Sequence, residues 1–579
     1  MRQLTFKLAR SYFERETASL LPIIFLIVLC GVLYFPYLGS IPFFDKGEPR
    51  EALAVQDIVQ RGEWLVPLKR ATDIPSKPPL FHWSAALVSR LTGSLTEATV
   101  RFPSALYATL GVLAFYALGR KIFDARTAFL GGAILATMMI YQDQALSARV
   151  DMTLCFFVTL NLTLFYYLYR GYLIHPLWYY VFYALIGLGT LAKGPLGLVL
   201  PALVAGSFAV LRRRWDIVKK FCFHPGVVLT LALASGWYVI AVTRGGEGFF
   251  DRQIVQENLS RFTGGSGHSH PIYYYISYLF SQSLPWSLLL AVLLWDLFRN
   301  GFRNNEGALF LKLWFLVMFV FFSISVGKRT VYLLPIYPAL SLLFAAWFYH
   351  SIEPLGVRLV IYRAIALFCG FTGALLLAIT LGALWSHDQG WFFAPIEGLL
   401  KPKDRVNLVA VRHQLESFGW TFTLVSLSAA ALWLSLTRSL WFGRMRAVAY
   451  QLVLVSVLHG FVSWAVVMPV IASGKSYRDF MTEVNQRVKP DDKLYLHGAF
   501  NSDAVVFYRG EVVDTLERPT AEVAMKIGKG DGFLIMPAQS WKEMQKTVGN
   551  LPPPLVTSTG KGPEGDAPLV LLQADVLSK

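Results

Sequence analysis

Residues 41–83 read IPFFDKGEPREALAVQDIVQRGEWLVPLKRATDIPSKPPLFHW, a polar and charged segment set between two long apolar runs. Asp45, Lys46, Glu48, Arg50 and Glu51 crowd its N-terminal end, and Ser76-Lys77-Pro78-Pro79 leads from it into an aromatic amphipathic run. A connector between membrane spans needs only a few residues to turn. A segment this long with clustered ionisable groups reads instead as a working surface. Charge so close to hydrocarbon is costly, so Asp45 and Glu48 are either paired with Lys46 or Arg50 as interfacial acids or put to chemical use. Lys77 is either a snorkelling anchor or a fixed cation for an anionic group at the membrane surface. The two prolines after it stiffen the backbone and prepare the start of the next helix.

The apolar runs on either side belong to a chain of 579 residues that is 55% hydrophobic and 16% charged, with a mean hydropathy of +0.48. Soluble domains carry roughly 25% charged residues, so this composition belongs in a bilayer. The net charge of +16 does not signal nucleic acid. Its basic residues sit in short clusters between apolar runs, the mark of membrane topology. Cys30, Cys155, Cys222 and Cys369 lie in or beside apolar runs without metal-type spacing, and read as small buried hydrophobes that say nothing about redox compartment. The basic N-terminus precedes an apolar span with no small-residue cleavage site, so that span is expected to be retained.

A helix crossing the hydrocarbon needs roughly 20 mostly apolar residues, and that ruler finds about thirteen candidates. They lie near 20–38, 104–119, 127–141, 153–169, 177–191, 195–211, 226–243, 281–298, 309–326, 332–349, 361–383, 419–437 and 449–471. The runs 177–211 and 309–349 each contain an internal break. With the N-terminus cytoplasmic, alternate loops put five basic clusters on the inner side: Arg2 to Arg15, Arg120 to Arg126, Arg212 to Lys220, Arg299 with Arg303, and Arg438 to Arg446. The loops 39–103, 142–152, 244–280 and 384–418, and everything after 472, then face outward. The expected fold is an all-α polytopic membrane protein over 1–472 with a small extracytoplasmic α/β domain over 473–579, where strand-like and helix-like stretches alternate. No internal repeat is evident.

The outer loops hold the other candidate site residues. Arg149 and Asp151 open the fourth span, where the acid also suits a helix N-terminus. His268 and His270, two apart, would point the same way from an extended segment. They form at most a weak metal pair, and contacts to a ligand's hydroxyls or phosphate fit equally. Arg261 suits bidentate phosphate recognition. Lys328 and Arg329 lie between spans on the outer side, against the positive-inside rule, and a bound phosphate would account for them. Tyr332 and Tyr337 are explained as interface aromatics or as contacts to the same phosphate.

Taken together, FFDKGEPREA, SKPPLFHW, ARVDM, ENLSRFTGG…HPIYYY, LPW at 284–286 and GKRTVYLLPIYPAL resemble the ArnT/protein O-mannosyltransferase-like group of GT-C glycosyltransferases, in the family's order over residues 40–340. The resemblance implies a polyprenyl-phosphate sugar donor of undecaprenyl type, bound at the outer, periplasmic face of the inner membrane. It also implies inversion at the sugar carbon and no metal for the chemistry. The family's Asp-Glu pair falls on Gly47 and Glu48, so Glu48 takes the catalytic role with Asp45 as substitute. Its acid before the phosphate-binding lysine falls on Ser76, Lys77 matches that lysine, and Asp151 matches the second acid. The donor phosphate would then be held by Lys77, Arg261, Lys328, Arg329, Tyr332 and Tyr337, with Arg50, Arg149, His268 and His270 as acceptor or loop contacts. If the acceptor is itself an anionic phosphate no base is needed, and the acid would orient the sugar instead. The expected acceptor is lipid A, another envelope glycan or a protein. The rival readings are transfer of a whole glycan by an oligosaccharyltransferase-like or ligase-like enzyme, and lipid or sugar transport. A transporter would carry its polar groups within helices near mid-membrane, often in repeated halves.

Overall fold

The computed structural model describes residues 20–70, 73–245, 247–260, 269–299, 305–350, 357–385, 397–398, 420–516, 527–548, 553–560, 562–563 and 568–574. A helix occupies each of the apolar runs, and among the described residues eight helices are long and apolar enough to cross a membrane. Their ends follow side-chain chemistry. Thr96 and Thr99 form a capping box at the start of Glu97–Ile122, Asp124 caps Ala125–Thr137, and Asn305 caps Glu306–Ile324. Gly62 and Gly93, in the left-handed region, close Gly47–Arg61 and Leu80–Thr92.

The two ambiguous runs break where their sequences change. Gly194-Pro195 separates Leu177–Lys193 from Leu196–Leu211, and the two helices fold back on each other. A Cβ on Gly197 would come within 2.0 Å of the Gly189 carbonyl carbon, so only glycine permits that approach. The second run stops at Ile324 and resumes after Arg329 as the 3₁₀ turn Thr330–Ile336 and the helix Tyr337–His350. Apolar faces left exposed, such as Leu21, Ile24, Phe25, Val28 and Val32 on Leu21–Tyr34, are of the kind hydrocarbon covers.

Loops sort to two ends of the bundle as the alternation requires. At one end Glu306 binds Arg170 (2.6 Å) and Arg212 (2.9 Å), and Asp124 meets His350 (3.2 Å). At the other end Asp45 binds Arg149, and Tyr275 donates to the Arg329 carbonyl.

Residues 493–574 carry a five-stranded sheet, order β2-β1-β3-β5-β4. Its strands are β1 Lys493–Leu496, β2 Asp514–Thr515, β3 Ile527–Pro537, β4 Val556–Thr557 and β5 Leu569–Ala574. β1 runs parallel to β2 and β3, while β5 is antiparallel to β3 and β4. The expected strands at 493–498, 531–537 and 568–576 and the helices at 476–488 and 541–549 have counterparts here, while most of 520–528 lies outside the described residues. Along β5 the side chains alternate. Leu569 and Leu571 join one cluster, and Val570 and Leu572 join another with Met544.

The first of those clusters does not stop at the sheet. It includes Phe43, Leu53 and Phe81 from the 41–83 segment together with Tyr477, Phe480, Val505 and Ile535. Polar contacts bind the same interface. The Tyr508 hydroxyl accepts from the Phe43 N–H (2.9 Å) and donates to Glu97 (3.0 Å), Gln60 donates to the Gly510 carbonyl, and Arg70 pairs with Asp503. The charged first loop is thus clamped between the bundle and the sheet.

Candidate functional site

The helix Gly47–Arg61 begins at Asp45, whose Oδ1 accepts the N–H groups of Gly47 (2.6 Å) and Glu48 (2.8 Å). Its Oδ2 takes Arg149 Nη2 at 2.6 Å. Arg149 lies directly on the bare Cα of Gly47, where a Cβ would stand 2.5 Å from Nη2 and 2.6 Å from Cζ. Burial alone would raise the Asp45 pKa. The Arg149 guanidinium and the two N–H donors outweigh it and hold the carboxyl below its ordinary value.

Glu48 is 2% exposed, and both oxygens are taken by Arg101, through Nε (2.7 Å) and Nη2 (2.8 Å). Oε1 also accepts the Ala148 N–H at 2.8 Å. Arg101 in turn donates through Nη1 to the carbonyls of Leu38 (2.9 Å) and Ile41 (2.5 Å), with its guanidinium over the Phe43 ring. This buried fork-to-fork pair ties the helix Glu97–Ile122, the 38–48 segment and the 147–149 loop together. Glu48, expected as the catalytic carboxylate, is thus held by three donors in this arrangement.

These residues line a cavity of about 390 Å³, at the small end of small-molecule clefts. From the predicted set it gathers Asp45, Glu48, Arg149, His270, Lys328 and Arg329. Lys328 is 3% exposed, and its Nζ donates to the carbonyls of Ser325 and His270 (3.0 Å for the latter). Among the described residues it makes no ion pair, and burial lowers its pKa. Ser269 and Gly327 form an isolated antiparallel bridge that brings His270 beside this lysine, with the imidazole stacked on Tyr274 at 4.1 Å.

Asp151, Lys77, Arg50, Tyr332 and Tyr337 stand outside the cavity lining. Asp151 pairs with Lys193, whose ammonium lies 4.5 Å from the centre of the Tyr332 ring. Lys77 lies near Glu51, whose carboxylate also accepts from Arg50 (3.0 Å) and meets His82 Nε2 (2.9 Å). Burial would raise the Glu51 pKa, but Arg50, His82 and Lys77 together hold it well below its ordinary value. Arg50, expected as an acceptor contact, is engaged with Glu51. Ser76 is buried with its hydroxyl unpartnered. Tyr337 is fully buried in the bundle, its hydroxyl bound to Gln282 (2.9 Å), which takes it out of any phosphate site. Arg261 and His268 lie outside the described residues. Among the described residues no three His, Cys, Asp or Glu side chains gather closely enough to hold a metal ion.

Three residues of these clusters escaped the sequence reading: Arg101, Asp143 and Lys193. Each carried a signal. Arg101 stands at the start of a long apolar helix, Lys193 is an outer-side cation like Lys328, and Asp143 is an acid just beyond a span, like Asp151. Asp143 lines the cavity and accepts from the Gln144 amide (2.8 Å).

A family model described as dolichyl-phosphate-mannose-protein mannosyltransferase matches residues 76–240. The undecaprenyl phosphate-alpha-4-amino-4-deoxy-L-arabinose arabinosyl transferase of Pectobacterium atrosepticum is 27% identical over 65% of this chain and 67% of its own length. The enzyme of that name from Pseudomonas aeruginosa is 30% identical over 57% of this chain and 59% of its own. The matched part of the chain thus spans about two thirds or less of these curated relatives. The crystal structure of ArnT from Cupriavidus metallidurans bound to undecaprenyl phosphate superposes with a TM-score of 0.73 at 20% identity, covering 97% of this chain and 99% of that one.

Proposed function

From the premise that this chain has the ArnT-like GT-C fold and resembles that group through its membrane part, we propose that it is a glycosyltransferase. It moves a sugar from an undecaprenyl-phosphate-type donor to an acceptor in the cell envelope, lipid A or another glycan or protein. The reaction faces the periplasm, with the N-terminus cytoplasmic and the C-terminal sheet outside.

The observation that carries this reading is Lys328: a buried ammonium that lines the cavity with two neutral carbonyls for partners and no counter-ion among the described residues. A buried cation is costly unless an anion reaches it. A phosphate at the membrane surface is such an anion, and Arg329 beside it lines the same cavity. In the reaction both cations would stabilise the charge that grows on the departing lipid phosphate, an electrostatic term that is usually the largest in such sites. Arg261 is a further outer-loop cation for the phosphate, while Lys193 and Lys77 stand beside Asp151 and Glu51. Asp45 and Glu48 hold Arg149 and Arg101 and so fix the cavity wall against which the sugar is oriented. An acceptor approaching from the side opposite the phosphate would invert the anomeric carbon.

The decisive experiment mixes purified protein with a panel of polyprenyl-phosphate sugars and envelope extract, and identifies glycosylated product by mass spectrometry. A product whose mass rises by one sugar supports the proposal. Transfer of a whole glycan, or no transfer from any donor, rejects it.

A further inference from the structure

Three carboxyl side chains reach the cavity, and two of them are already spent. Glu48 is held by Arg101 and Asp45 by Arg149. Asp143 differs. Its side chain has the neighbouring Gln144 amide as hydrogen-bond partner and makes no ion pair among the described residues. Its backbone is fixed, because its carbonyl accepts from Ser147 Oγ at 2.7 Å near the end of the helix Met139–Ala145. The charged groups facing it are Arg149, Asp45 and Glu48, and the rest of the ionisable lining is Tyr37, Arg101, His270, Tyr274, Lys328 and Arg329. From the 445–473 segment the wall receives Trp464 and Met468, neither of which titrates.

We infer that Asp143 accepts the proton of an acceptor hydroxyl, so that the acceptor is an alcohol and not a phosphate. The inference rests on the glycosyl-transfer reading above. The acceptor oxygen bonds to the anomeric carbon, and the bond from that carbon to the donor phosphate breaks with its electron pair leaving on the polyprenyl phosphate. The hydroxyl proton passes to the Asp143 carboxylate and is later released to water. A phosphate acceptor would need no such base, and it would meet an uncompensated carboxylate in the cavity wall. The site's electrostatics suit a proton carrier. Burial raises the Asp143 pKa above the ordinary aspartate value, and the like charges of Asp45 and Glu48 add to this against the opposing pull of Gln144 and Arg149.

The test compares full-length wild type, Asp143→Asn and Asp143→Glu, with the polyprenyl-phosphate sugar that wild type uses best. Asp143→Asn should lower kcat by about 10²- to 10⁴-fold with little change in donor KM. Asp143→Glu should retain part of the rate, and wild-type kcat should fall on the acid side as the carboxylate is protonated. A structural carboxylate would not give this kcat loss at unchanged donor KM with partial rescue by glutamate, and thermal unfolding reads the raised pKa itself. Because the native state holds this proton more tightly than the unfolded chain, wild type should lose stability relative to Asp143→Asn as the pH rises from the ordinary aspartate value through the raised one. Transfer by Asp143→Asn at the wild-type rate overturns the inference, as does sole use of phosphate acceptors. Parallel pH–stability curves for wild type and Asp143→Asn also overturn it, even if no donor is turned over. Wild type inactive with every donor would instead reject the glycosyl-transfer reading.

Discussion

Glu48→Gln is the substitution that best separates a chemical role from a structural one. The change keeps the shape of the side chain and removes its charge, leaving Arg101 buried without a counter-ion at 2% exposure. Wild-type Glu48 accepts three hydrogen bonds, two from the guanidinium and one from the Ala148 N–H. A glutamine keeps one accepting oxygen and sets an N–H₂ group against a donor. Breaking one side of a buried pair in this way costs about 3–5 kcal/mol, chiefly through the stranded charge. Arg101→Gln alone should cost a comparable amount. The double variant should cost less than the two singles added, because no unpaired charge remains, and the coupling should be about 1–3 kcal/mol. The assay is equilibrium unfolding of the four proteins in one detergent, with sugar transfer measured alongside. Glu48→Gln unfolding at the wild-type midpoint while losing transfer would refute the positioning role and return the residue to the chemistry.

Three further outcomes follow from the same geometry. Lys328→Met should weaken binding of polyprenyl phosphate without destabilising the fold, read by titration against the free lipid phosphate. In wild type that affinity should fall with rising pH earlier than for an ordinary lysine, since burial lowers the pKa and deprotonation removes the charge. Gly47→Ala should cost about 1–3 kcal/mol, because its Cβ displaces the Arg149 guanidinium from Asp45; an unchanged unfolding midpoint would count against the packing. Tyr508→Phe should cost about 1–3 kcal/mol by stranding the Phe43 N–H. It should also speed proteolysis near residue 43 along with the C-terminal sheet, whereas cleavage confined to the sheet would separate the two.

The helical architecture was legible because hydropathy over a span-length window is a strong local signal. The sorting of loops to two ends was legible because charge follows topology. Lys328 was singled out by the same logic, as a cation where the positive-inside rule expects few, and the structure has it in the cavity lining. Pairings were not legible. Glu48 and Arg101 lie 53 residues apart, and nothing in either neighbourhood announces the other. Tyr337 was misjudged because an interfacial tyrosine and a buried one have the same sequence context, and the hydroxyl's partner Gln282 lies on a different helix. The sheet strands were readable from alternation, yet their shared core with Phe43, Leu53 and Phe81 was not, since that contact joins segments more than 400 residues apart.

Position 47, where the resemblance aligns the family's aspartate, is glycine in this chain, and the carboxylate beside it is that of Asp45. That residue lies before the helix, so its side chain can cap the N-terminus and still reach Arg149. Arg149 reaches it only because position 47 has no Cβ, since any other side chain would occupy the space of the guanidinium. Gly47, Asp45 and Arg149 are therefore one unit, and restoring an aspartate at 47 without removing Arg149 would break the pair it was meant to rebuild. The cavity wall is thus neutralised twice over, Asp45 against Arg149 and Glu48 against Arg101. Lys328 and Asp143 are two lining groups that make no ion pair among the described residues. An ammonium for the phosphate and a carboxyl for the proton are the two charges an in-line transfer between a lipid phosphate and a hydroxyl would need.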